Sequence, residues 1–181
     1  MQPNSPYLRA PGVSTTRVML KVLLALVPAI AAYVWQFGAG ILVQIALASV
    51  TALASEAFML TLRGRPVKPY LWDLSALVTA WLIALAFPAI APWWIVVVGT
   101  LIAIVVAKHL YGGLGQNPFN PAMVAYAVML VAFPSLMSQW PANGLDLAAQ
   151  FKAIFGNADP ALRALDAISS ATPLDTLKTG L

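Results

Sequence analysis

Two stretches of this chain carry no formally charged side chain: residues 22–55, between Lys21 and Glu56, and residues 74–107, between Asp73 and Lys108. Each is roughly 34 residues long, whereas one membrane crossing needs about 20 apolar residues, so each reads as a helical hairpin. In the first, Gly38-Ala39-Gly40 is the natural turn between spans at Val18–Phe37 and Ile41–Leu62. In the second, Pro88-Ala89-Ile90-Ala91-Pro92 separates Leu74–Phe87 from Trp93–Ala107. A further span, Pro121–Gln139, follows a stretch rich in Gly, Asn and Pro. The pattern predicts an all-α polytopic membrane protein with about five transmembrane helices. Composition agrees, because only 9% of residues are charged against about 25% in soluble domains.

The basic residues predict the orientation. Arg9, Arg17 and Lys21 precede or open the first span, Arg63, Arg65 and Lys68 follow the second, and Lys108 closes the fourth. Neither hairpin turn holds Lys or Arg. By the positive-inside rule, residues 1–17 form a cytoplasmic arm. Residues 18–139 form the membrane domain, with cytoplasmic loops near 63–70 and 109–117, and 140–181 lie outside. Trp35, Trp93, Trp94 and Trp140 fall near the expected outer ends, as an aromatic belt requires. A cleaved signal peptide ending at Ala29-Ile30-Ala31 is the weaker reading, because the apolar run continues to Phe37. The net charge of +4 is spread over loops between apolar spans, so it marks a membrane face and not a nucleic-acid surface. The absence of cysteine excludes thiolate chemistry and cysteine-ligated clusters, and the single histidine, His109, leaves little scope for a histidine-based metal site.

Several polar residues lie at the edges of the spans. Glu56 falls in the last third of the second span and Lys21 near the start of the first, predicting either a structural pair between adjacent helices or a snorkelling lysine beside an interfacial glutamate. An ion-pathway role for Glu56 is the sharper alternative. Asp73 is expected to cap the third span beside the interfacial Trp72, and His109 to sit at the interface. The stretch Lys108–Met123 contains Gly113 and Gly115 and two Asn-Pro pairs, Asn117-Pro118 and Asn120-Pro121. Asn followed by Pro is a helix-start signal. Gly113, Gly115, Asn117 and Asn120 are therefore candidates for lining a cavity at a broken helix, against the simpler reading of a cytoplasmic turn.

After Trp140 the chain turns more polar. Leu145–Phe155 reads as an amphipathic helix stopped by Gly156-Asn157. Further on, Thr172 with Pro173 and Asp175 reads physically as a helix start. The segment Asp166-Ala167-Ile168-Ser169-Ser170-Ala171-Thr172 also fits a more specific pattern, D-x-x-[S/T]-x-A-T.

With that pattern, and with His109-Leu110-Tyr111-Gly112-Gly113-Leu114-Gly115-Gln116-Asn117-Pro118-Phe119-Asn120-Pro121-Ala122-Met123, the whole chain resembles the RnfD component of bacterial Rnf ion-translocating electron transport complexes. It is more distantly similar to the NqrB component of the sodium-translocating NADH:quinone reductase. The resemblance implies a subunit of an inner-membrane complex that couples electron transfer to ion translocation. It also implies FMN held through a phosphoester on Thr172, with Asp166, Ser169 and Ala171 completing the attachment motif. A flavin transferase using FAD would attach it on the outer side, and the other complex subunits would be partners. Family members carry a second set of spans related to the first by inversion, so this chain corresponds to one half of an inverted-repeat fold followed by an outer segment. No catalytic residue and no metal ligand is implied within this chain. A transporter or channel half without redox function is the rival class.

Overall fold

The computed structural model describes residues 14–141 and 145–156. Ser14 starts the first helix: its side chain accepts a hydrogen bond from Arg17 N at 3.3 Å, satisfying one of the free N–H groups of the first turn. Helix α1 (Thr15–Phe37) then turns at Gly38, whose φ of 90° suits a residue without Cβ, into α2 (Gly40–Leu62). At 23 residues each, these two helices are long and apolar enough to cross a membrane. A short α3 (Val67–Leu71) leads to α4 (Ser75–Ala86). After the Pro88–Pro92 turn, α5 (Trp93–Leu101) continues as a π-helical segment, Ile102–His109. The remaining helices are α6 (Pro121–Ala132), α7 (Pro134–Met137) and α8 (Leu147–Phe155).

The helices expected within the described residues are present, with two adjustments. Helix α4 is shorter than the Leu74–Phe87 span and begins after Leu74, which adopts the left-handed conformation with φ 64°. Asp73 Oδ1 accepts from Ser75 N at 2.7 Å, so the carboxylate serves the helix start from one position earlier than an ordinary N-cap. The Pro121–Gln139 span is interrupted at Phe133, because the proline that follows disfavours helical backbone there.

Small side chains make the core. Helix α2 packs most extensively on α4, and Ala48, Ala52, Ala76, Ala80 and Ala84 are buried in the main core cluster. Such residues let backbones approach closely where lipid leaves little hydrophobic drive between helices. Gly99 of α5 is one such close approach: an added Cβ would lie 2.6 Å from the buried Phe87 ring. The Ala89-Ile90-Ala91 turn is buried, fastened to α2 by Gln44 Nε2, which donates to Ala89 O at 3.2 Å and Ala91 O at 2.7 Å. Helix α1 packs on α4 and α2 at the edge of this core, with only Leu23 and Ile30 buried.

The described lysines and arginines other than Lys152 lie near the end where α1 begins and α2 finishes. We refer to this as the basic end, and to the opposite one as the turn end.

Candidate functional site

A buried polar cluster lies toward the basic end. Lys108 Nζ donates to Glu56 Oε1 at 2.9 Å and Oε2 at 2.8 Å, and to Ser75 Oγ at 2.9 Å. Ser75 Oγ in turn donates to Asp73 Oδ1 at 2.6 Å. His109 Nε2 lies 3.1 Å from Glu56 Oε2, an ion-pair distance without hydrogen-bond alignment. Side chains of Glu56, Lys108 and His109 are no more than 3% exposed. A chain of polar contacts thus runs from Asp73 at the helix start to His109.

Local backbone structure explains how these groups converge. Glu56 projects from α2, and Ser75 is set by the Asp73–Leu74–Ser75 turn. The π segment ends in Lys108 and His109, with Leu110 N donating to Val105 O and Gly113 N to Lys108 O, both across five residues. Such wide turns rotate successive residues less than α-helical ones, so both neighbours can face α2. Two sequence expectations are corrected here. Glu56 pairs with Lys108 and not with Lys21, which is exposed. His109 is buried beside Glu56, because the π segment turns it inward, instead of lying at the interface.

Two cavities flank the pair. One, of about 420 Å³, is lined by Glu56, His109, Arg63, Arg65, Tyr70 and Tyr111, with Gly112 and Gly113 among its other walls. The other, of about 260 Å³, includes Lys108, Ser75, Thr79, Asn117, Asn120 and Pro121. The Glu56–Lys108 pair stands between them. Gly113 therefore lies on the first cavity, Asn117 and Asn120 on the second, and Gly115 on neither. Gly112 and Gly113 have φ values of 113° and 104°, which side chains with a Cβ rarely adopt. Of the two Asn-Pro signals, Asn120-Pro121 starts α6, with Ala122 N donating to Asn120 Oδ1 at 3.0 Å. Asn117-Pro118 instead makes a turn, Asn117 Nδ2 donating to Phe119 O at 2.7 Å.

At the turn end, Gln150 of α8 is fully buried. Gly40 N donates to its Oε1 at 2.6 Å, and its Nε2 donates to Phe37 O at 2.9 Å and Leu145 O at 2.8 Å. Ala153 of the same helix packs on Ile90 of the second turn. Residues Asp166, Ser169, Ala171 and Thr172 lie outside the described residues. Among the described residues, no group of acidic, histidine and cysteine side chains could hold a metal ion.

Comparison with known proteins gives a consistent picture. The family model described as NQR2, RnfD, RnfE matches residues 2–180. The D component of an ion-translocating oxidoreductase complex from Escherichia fergusonii is 48% identical over 191 residues, covering 98% of this chain and 54% of the relative. The proteins of the same name from Aeromonas hydrophila subsp. hydrophila and Shewanella denitrificans are 51% and 50% identical, covering 92% and 98% of this chain and 51% and 54% of theirs. The chain spans about half the length of the curated relatives it matches.

Proposed function

The chain belongs to the NQR2, RnfD, RnfE family, and from that premise we propose that it acts in an Rnf-type complex of the bacterial inner membrane, coupling electron transfer to ion translocation. Five crossings with a cytoplasmic N-terminus account for the basic end, the tryptophans at the turn end and the two hairpins. The helices shorter than a full span are extended by the Asp73–Leu74, Phe87–Pro92 and Phe133 segments. Protein-lined breaks of this kind are tolerated at membrane depth where neighbouring helices cover them.

In this reading Thr172 would hold FMN as a phosphoester, placing it to relay electrons. The observation that carries this reading is the family match through residue 180 together with the complete Asp166–Thr172 motif. The chemistry of the motif fits the group. Thr172 supplies the hydroxyl, Ser169, Ser170 and Ala171 are small, and Pro173 bars a helix from running through the acceptor. A transferase would move the FMN moiety of FAD onto Thr172 Oγ, breaking the pyrophosphate and releasing AMP. When bound, the flavin supplies the redox chemistry, while the protein supplies attachment and orientation. In this reading the Gln150 contacts hold the start of the outer segment on the hairpin turns, fixing the point from which the motif departs.

Coexpression with a flavin transferase tests the proposal. Thr172→Val keeps the side-chain shape, removes the nucleophile and should abolish in-gel flavin fluorescence while the protein still inserts. Thr172→Ser should retain partial modification. Covalent FMN persisting in Thr172→Val, or mapped by peptide mass spectrometry to Ser169, Ser170 or Thr176, would sink the assignment.

A further inference from the structure

We propose that the larger cavity at the basic end holds the phosphate-bearing headgroup of an anionic phospholipid. The inference rests on the membrane placement above and is independent of the flavin.

Charge is the first ground. Arg63 and Arg65 line the cavity, and Glu56 is the sole acid among its lining residues. That carboxylate is engaged through both oxygens by Lys108, so it does not oppose an incoming anion. The arginines are also held in place. Arg63 Nη1 donates to His109 O at 3.1 Å, and Arg65 Nη1 donates to the Tyr70 hydroxyl at 3.4 Å, with its guanidinium 6.0 Å from the Tyr70 ring centre. Each contact uses one of the five N–H donors of a guanidinium, leaving others for a ligand. A planar guanidinium fork matches phosphate geometry.

Shape and position select a lipid over a soluble anion. The volume of about 420 Å³ lies within the range of small-molecule sites, about 300–1,000 Å³. Tyr70 and Tyr111 line it, and Trp72 is exposed nearby in sequence, the residue types that mark headgroup level. Leu60 and Leu114 form an apolar wall, while Leu62 and Leu110, next to lining residues in the chain, are exposed. A free phosphate has no use for such surroundings, whereas a lipid places phosphate and acyl chain side by side. Basic pockets at the cytoplasmic edge of helical bundles suit this chemistry.

The test uses the assembled complex, with the full-length protein, in phosphatidylcholine nanodiscs containing a photo-crosslinkable phosphatidylglycerol. Adducts should map to peptides spanning residues 63–70 and 109–116, and unlabelled phosphatidylglycerol should compete while phosphatidylcholine does not. The double substitution Arg63→Gln/Arg65→Gln should lower adduct yield about tenfold or more. Arg17→Gln/Lys68→Gln, at the same end but outside the cavity, should change it less than about twofold. Should the Gln pair not assemble, Arg63→Lys/Arg65→Lys keeps the charge without the fork and should give an intermediate yield. Equal losses in both Gln pairs, equal competition by phosphatidylcholine, or a wild-type yield in the Lys pair would overturn the site. Displacement by glycerol 3-phosphate as effective as by phosphatidylglycerol would overturn the lipid in favour of a soluble anion. Release of the protein by carbonate washing would overturn the membrane placement itself.

Discussion

Gln150 and Gly40, far apart in sequence, meet in a buried hydrogen bond of 2.6 Å, Gly40 N donating to Gln150 Oε1. The same amide donates to Phe37 O at the end of α1. One side chain therefore serves the last carbonyl of α1 and the first N–H of α2, groups that no intrahelical partner satisfies. The fit requires glycine, because a Cβ at Gly40 or Gly38 would run into the Gln150 amide.

Gln150→Leu should consequently free α8 without unfolding the bundle. Each buried group left unpaired costs about 1–3 kcal/mol, enough to favour undocking of a nine-residue helix. Gly40→Ala should act alike through the clash. Hydrogen exchange by mass spectrometry on the solubilised protein should show faster exchange in Leu147–Phe155 and little change in α4. Unchanged exchange in α8 would show that Ala153 and Ile154 suffice to hold it.

Breaking the Glu56–Lys108 pair should cost more than removing it. Glu56→Gln or Lys108→Met leaves one buried charge without its partner, a loss of about 3–5 kcal/mol. Glu56→Leu/Lys108→Leu removes both charges and should recover most of that stability, measured as thermal retention of the monodisperse peak in size-exclusion chromatography. It should also retain ion-coupled electron transfer once assembled. Electron transfer that continues while ion translocation stops would place the pair on the ion path.

Much of this architecture is legible in the charge pattern. Charge-free runs set the helices, and glycine and proline set the turns at Gly38 and at Pro88–Pro92. The partner of Glu56 is less obvious, although a signal for it exists. Two hairpins of equal length place their run ends at one depth, and Glu56 and Lys108 each end a run. Lys21 is nearer along the first hairpin, but pairing follows the packing of α2 against α4 and the π segment. The inward turn of His109 depends on five-residue hydrogen bonds, which no residue type in Ile102–His109 announces. Gln44 and Gln150 resemble ordinary polar residues until the turns they fasten are in place. Phe133 is different, since Pro134 states in the sequence that a helix cannot continue undisturbed.

Orientation can be checked on described, exposed positions. Thr15→Cys at the basic end and Ser138→Cys near the turn end are both accessible in the fold. In intact inner-membrane spheroplasts, an impermeant thiol reagent should label Ser138→Cys and spare Thr15→Cys, with both labelled after permeabilisation. These 181 residues contribute no native cysteine to the background. The reverse pattern would invert the orientation and put the basic end outside.

Asn120 separates helix capping from a direct role in the smaller cavity. Its Oδ1 accepts from Ala122 N at 3.0 Å, while Pro121 needs no partner for a missing N–H. Asn120→Ala should therefore cost about 0.5–2 kcal/mol, and Asn120→Ser or Asn120→Asp should restore most of that stability as alternative caps. Asn120→Leu loses the cap and also fills the cavity that Asn120 shares with Lys108, Ser75 and Asn117. If that space serves electron or ion transfer, Asn120→Leu lowers complex activity per assembled protein while Asn120→Ala, equally uncapped, retains it. Activity normalised to protein abundance decides between them. Parallel losses in the two variants would assign Asn120 to capping alone, and a restored cap with activity still missing in Asn120→Ser would point to its amide as the group that matters.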